Sequence, residues 1–134
     1  MNSIELFAGA GGLALGLERA GFKHKALIEI DKYASATLRE NFNSNLVWES
    51  DITKLSPEDL NITEEIDLIS GGAPCQSFSY AGLRKGIEDA RGTLFYDYAR
   101  FIKYFRPKIF VFENVRGIIN HDGGNTLKTI INIF

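Results

Sequence analysis

Gly9-Ala10-Gly11-Gly12 follows the short apolar run Ser3 to Ala8 and opens LALGLERAG, where apolar residues recur at helical spacing up to Gly21. A strand that enters a glycine turn and leaves it as a helix commits a chain to α/β architecture. The rest of the chain repeats the alternation. Lys25 to Ile30 reads as a second strand, and Lys32 to Phe42 as a helix with Asp31 at its N-cap. Leu46 to Glu49 is a short third strand, and a helical turn follows Ser56-Pro57. Ile66 to Ser70 is a continuous apolar run ending in Gly71-Gly72, the pattern of a buried parallel strand. Gly92 to Tyr104 returns to helical spacing and Pro107 stops it; Ile109 to Glu113 is a fifth strand, and a helix starts at about Asn125. The expected fold is therefore a doubly wound, Rossmann-like α/β sheet of about five parallel strands with right-handed crossovers and helices on both faces.

The 134 residues and 45% hydrophobic content fit one soluble domain with one core, and exclude disordered and collagen-like classes. The formal charge of -2 conceals a split. Residues 1–67 hold 6 Lys or Arg against 12 Asp or Glu, whereas residues 68–134 hold 9 against 5, so a polyanion is expected on the second half. The single cysteine forms no internal disulfide, the N-terminus lacks the pattern of a signal peptide, and no apolar run approaches the roughly 20 residues that span a bilayer. A reducing cytoplasm is the expected compartment, and neither a membrane nor a metal is an expected partner.

The glycine turn satisfies G-x-G-x-x-G/A, and about 20 residues on stand Glu29 and Asp31, where a carboxylate can accept hydrogen bonds from ribose hydroxyls. Together they point to an adenosine-containing cofactor at the carboxyl edge of the sheet. Asp51, with Ile52 beside it, is a candidate for the adenine amino group. On these residues alone the cofactor is either a nicotinamide dinucleotide or S-adenosylmethionine. Cys75 follows Pro74 at the carboxyl end of strand four, within a polar stretch from Ala73 to Arg91 that has neither period; loops of that length in compact domains are usually functional. An accessible thiolate there can act as a nucleophile. Glu113 ends the adjacent strand, and a carboxylate desolvated at that edge can give or share a proton near neutral pH.

Phe7-Ala8-Gly9-Ala10-Gly11-Gly12, Glu29 with Asp31, Asp51-Ile52, Pro74-Cys75-Gln76-Ser77-Phe78-Ser79, Gly92-Thr93-Leu94-Phe95 and Glu113-Asn114-Val115 resemble, in order, the first six motifs of the DNA (cytosine-5)-methyltransferases. The small bacterial modification enzymes of restriction systems are the most similar in pattern. The resemblance implies methyl transfer from S-adenosylmethionine to carbon 5 of a cytosine flipped out of duplex DNA. It casts Cys75 as the nucleophile at carbon 6 and Glu113 as the donor at ring nitrogen 3. It places the methionine end of the cofactor over Gly9, Gly11, Gly12 and Leu13, Phe7 and Ile30 against the adenine, Glu29 on the ribose and Asp51 with Ile52 at the amino edge. By the same resemblance Pro74 and Leu94 are expected to line that pocket and Gln76, Ser79 and Asn114 to face the DNA, with Arg84, Lys85 and Arg91 in the loop above it.

The family's Gln-Arg-Arg-x-Arg segment, its target-recognition domain and its C-terminal helix are absent from residues 1–134. The expectation is a partial catalytic and cofactor-binding domain that requires a C-terminal half, from the same gene or a separate chain. Strand five, apolar on both faces, and Phe134 are expected to have nothing to cover them. The alternatives are a tRNA cytosine-5 methyltransferase of the same family, an inactive or regulatory fragment, and a nicotinamide oxidoreductase.

Overall fold

Asn2–Leu6 (β1), Lys23–Glu29 (β2), Val47–Glu49 (β3), Leu68–Gly71 (β4) and Ile109–Phe112 (β5) form one sheet in the order β3-β2-β1-β4-β5. The computed structural model describes residues 1–74 and 94–134. All pairings are parallel; Glu5 on β1 stands opposite Leu27 on one side and Ser70 on the other. The strand order reverses between β1 and β4, and in open sheets of this kind ligands bind outside the carboxyl ends at that switch point.

Among the described residues, four α-helices cover the sheet: Gly12–Arg19 (α1), Lys32–Asn41 (α2), Leu94–Phe105 (α3) and Asn125–Ile133 (α4). The α2 helix begins where the sequence predicts, because the Asp31 carboxylate accepts hydrogen bonds from the N–H groups of Tyr33 and Ala34 at 2.9 and 2.8 Å. On one face Ala14 of α1 and Leu38 of α2 pack with Ala8 and Leu27. On the other, Tyr98 and Phe101 of α3 pack with Ile4, Leu6, Ile28 and Ile69. Burial of these apolar side chains, each contributing about 1.5–3 kcal/mol when fully enclosed, is the main force closing the layers.

Strand ends differ from the sequence reading by a residue or two. The β1 ladder stops at Leu6 because Phe7 takes a left-handed conformation, φ 56°. β2 starts earlier than expected because Lys23 pairs with Asn2. The expectation that strand five and Phe134 lie uncovered holds on one face only. The Phe134 ring packs against Phe110, Phe112 and Tyr98 with centroids 5.0, 5.5 and 5.5 Å apart, so the end of α4 folds onto β5. On the opposite face Ile109 and Val111 are 62% and 44% exposed.

Candidate cofactor cleft and catalytic edge

The glycine turn is built from conformations and contacts that a side chain would disturb. Gly11 caps α1 at φ 90°, and a Cβ there would lie 2.8 Å from both Leu38 and Phe42. Glu29, at the end of β2, accepts the Gly9 N–H at 2.7 Å through one carboxylate oxygen and the N–H groups of Ile30 and Asp31 at 2.9 and 2.8 Å through the other. That carboxylate thus joins β2 to the turn and remains on the rim of the cleft beside it.

The cleft is lined by Phe7, Glu29, Ile30, Asp51, Ile52, Pro74 and Leu94, all of which the sequence singles out, together with Ile28 and Ser50, which it does not. Seven positions from five separate segments therefore converge at the switch point. Gly9, Gly11, Gly12 and Leu13 lie outside that lining, in the turn itself and the start of α1; Leu13 is 39% exposed. Phe7 is an aromatic residue held at positive φ, a conformation that costs on the order of 1–3 kcal/mol and is typical of ligand sites. The Asp51 carboxylate accepts from the Thr53 N–H at 3.0 Å and the Thr53 hydroxyl at 2.8 Å, and these bonds, the hydroxyl's foremost, hold its pKa below the usual carboxylate value. It is therefore a charged acceptor at neutral pH. An apolar slot with two carboxylates on its rim fits an adenosine group, whose flat base and ribose hydroxyls match that division.

The candidate catalytic edge lies on β4 and β5. Glu113 follows β5 directly, its N–H donating to the Gly71 carbonyl at 2.9 Å. Its carboxylate lies against the backbone of Gly72. The Asn114 side-chain amide donates to the Ala73 carbonyl at 3.0 Å and its side-chain oxygen accepts from Val115 N–H at 2.9 Å, so Asn114 ties the end of β5 to the segment leading into Pro74. Cys75, Gln76 and Ser79, like Arg84, Lys85 and Arg91, lie outside the described residues.

Two buried polar features are not marked by any sequence motif. Glu5 is 2% exposed within β1, and burial raises its pKa to about 7, against a hydrogen bond from the backbone of Ala14 that lowers it. Its Oε2 and the Ser70 hydroxyl, on register-paired residues, have no partner among the described residues. Nearby, the His24 ring bridges the Ser3 hydroxyl at 3.0 Å and the Ala14 carbonyl at 2.9 Å. Ser3 and Glu5 sit inside a strand-length apolar run whose neighbours mask them, whereas His24 stands between Lys23 and Lys25, ahead of the apolar run that marks strand two. Among the described residues no cluster of His, Cys, Asp or Glu is arranged to hold a metal ion, and no helix is long and apolar enough to cross a membrane.

The family model for C-5 cytosine-specific DNA methylases matches residues 1–134. The chain belongs to that family. Relatives of this methylase chain include the type II methyltransferase M.Sau96I of Staphylococcus aureus, 53% identical over 99% of the chain and 31% of the relative. M.NgoPII of Neisseria gonorrhoeae is 46% identical over the whole chain and 39% of the relative. The chain thus spans about a third of the length of the curated relatives it matches. Among solved structures, a DNA modification methyltransferase encoded within an Escherichia coli prophage superposes with a TM-score of 0.80 at 35% identity, covering 99% of the methylase chain and 37% of that protein. The Dnmt2 methyltransferase of Schizosaccharomyces pombe shares the fold, with a TM-score of 0.68 at 23% identity over 98% of the chain and 41% of that protein.

Proposed function

We propose that this chain is the cofactor-binding and nucleophile-bearing part of an enzyme that methylates carbon 5 of cytosine in duplex DNA, serving restriction-modification. The observation that carries the reading is the convergence of Phe7, Glu29, Asp51, Pro74 and Leu94 on one cleft at the sheet's switch point, with Glu113 and Gly72 on the neighbouring strand ends. S-adenosylmethionine, when bound, supplies an electrophilic methyl group. Glu29 would hold its ribose, Asp51 and Ile52 the amino edge of its adenine, and Phe7 and Ile30 the faces of the base. The turn at Gly9, Gly11, Gly12 and Leu13 would receive the methionine end.

Carbon 5 of cytosine is a weak nucleophile, so the Cys75 thiolate first adds to carbon 6 of the flipped base. Glu113 donates a hydrogen bond or proton to ring nitrogen 3, where electron density accumulates. Carbon 5, now enamine-like, would be the acceptor for that methyl group; its proton would then pass to water as the Cys75 thiolate is expelled, and any proton at nitrogen 3 would return to Glu113, so that the ring regains aromaticity. Gln76, Ser79 and Asn114 are assigned to the DNA side. The arginine motif that holds the base and the domain that reads sequence are assigned to a C-terminal half, consistent with the third of its relatives' length that the chain spans.

The test is binding and transfer. The chain should bind S-adenosylmethionine in preference to NAD by titration calorimetry, and, completed with a C-terminal half, should transfer a labelled methyl group to duplex DNA rather than to tRNA. Tighter NAD binding, or transfer to tRNA alone, would contradict the reading.

A further inference from the structure

Arg100 projects from α3 toward a turn that is remote in sequence. Its guanidinium donates to the Ile52 carbonyl at 2.7 Å and the Leu55 carbonyl at 2.8 Å, and pairs with Asp97 one helical turn earlier at 2.9 Å. The planar fork matches two carbonyls of one turn in a way that the point charge of a lysine does not. Ile52 and Leu55 are buried beneath it, in the same core as Tyr98 and Phe101, and the guanidinium also lies over the Phe101 ring at 5.4 Å. Within the turn, Asp51 is already tied to Thr53 through its side chain, and its carbonyl accepts the Lys54 N–H at 2.9 Å. These bonds make the turn a rigid unit, and Arg100 attaches that unit to the helix whose first residue, Leu94, lines the same cleft.

We propose that Arg100 is a positioning residue for cofactor affinity, fixing the Asp51–Ile52 wall of the cleft relative to the Leu94 end of α3. The inference rests on the cofactor reading of the cleft. Arg100 does not line the cleft; its other edge faces an open groove with Ser56, Glu58, Lys103 and Arg106. Its effect therefore passes through Ile52 and Asp51, and loss of the clamp loosens binding while leaving the chemistry at the β4–β5 edge intact.

The experiment compares Arg100→Met and Arg100→Lys with the parent protein, reading S-adenosylmethionine affinity by calorimetry and amide exchange at residues 51–55, with KM and kcat read separately after completion with a C-terminal half. Arg100→Met should weaken binding and raise KM about tenfold, with kcat within about twofold, as expected when charge-assisted bonds that only position a wall are lost. Arg100→Lys should recover part of the affinity by restoring one carbonyl bond. Unchanged affinity in a folded Arg100→Met protein, or a fall in kcat at constant KM, would overturn the proposal. Should Arg100→Met fail to fold, Asp97→Asn decides: it removes the charged partner that orients the guanidinium toward the Ile52 and Leu55 carbonyls and so weakens those bonds; affinity should drop about two- to threefold, and no change in affinity or exchange would overturn the proposal. A parent protein that binds no S-adenosylmethionine overturns the cofactor reading and the affinity role with it, whereas faster exchange confined to residues 51–55 in Arg100→Met still sustains the clamp.

Discussion

Gly72 and Glu113 are in such close contact that a Cβ on Gly72 would stand 2.6 Å from the Glu113 Oε2 and 3.1 Å from its carbonyl oxygen. The absent side chain at the end of β4 is therefore what lets the Glu113 carboxylate occupy the edge beside the segment leading to Cys75. Gly72→Ala should fold, at a cost of about 1–3 kcal/mol, yet lose at least about tenfold in kcat because the carboxylate is displaced. Gly71→Ala is the contrast. Its Cβ would lie 1.9 Å from the Leu6 carbonyl oxygen at φ 147°, so that variant should fail to assemble the β1–β4 pair and lose cooperative unfolding.

Glu5 should make stability depend on pH. Its folded pKa is raised from 4.5 to about 7, so across that window the folded chain holds a proton that the unfolded chain has released. Stability from this group is complete below the unfolded value and is lost as pH rises through the folded one, by about 3 kcal/mol in total. Urea unfolding between about pH 5 and pH 8 should show this decline, and Glu5→Gln, which is neutral throughout, should flatten it.

Gly11→Ala faces both a positive φ and contacts of 2.8 Å with Leu38 and Phe42. It should cost about 1–3 kcal/mol in denaturant unfolding and, by shifting the turn, weaken cofactor binding more than the loss of stability alone would.

Asn114→Asp removes the N–H that the Ala73 carbonyl accepts while keeping size and the acceptor that receives the Val115 N–H. Stopped-flow methyl transfer should show kcat lowered about tenfold with cofactor affinity nearly unchanged, since the bond positions the approach to Cys75 rather than the cleft.

Much of this architecture is legible in the sequence because apolar periodicity and turn chemistry are local. The β1–glycine–α1 unit, the Asp31 cap and the placing of Glu29 and of Asp51 with Ile52 at or just after strand ends follow from that, whereas Phe7, Ile30, Pro74 and Leu94 are singled out by the resemblance to the family's motifs. Strand limits are less legible, since a ladder ends where a residue such as Phe7 changes conformation, and the apolar run SIELFA does not mark that point. Glu5 and His24 are hidden for other reasons: Glu5 reads as an interruption within an apolar run, and His24, between two lysines and ahead of the apolar run, reads as a solvated position until its partners Ser3 and Ala14 are known. Arg100 looks like the solvated face of an amphipathic helix, because its partners are backbone carbonyls 45 and 48 residues away in sequence. The packing of Phe134 on β5 is equally non-local, so the sequence alone shows strand five as uncovered.

The proposed mechanism requires that Cys75 add to carbon 6 of cytosine while the cleft holds S-adenosylmethionine. Duplex DNA carrying 5-fluorocytosine at the target position, incubated with S-adenosylmethionine and the completed enzyme, should yield a covalent complex stable to denaturing electrophoresis, because fluorine at carbon 5 cannot leave as a proton does. The complex should be absent in Cys75→Ser. A complex that forms equally in Cys75→Ser, or none in an enzyme that methylates ordinary cytosine, would contradict the account.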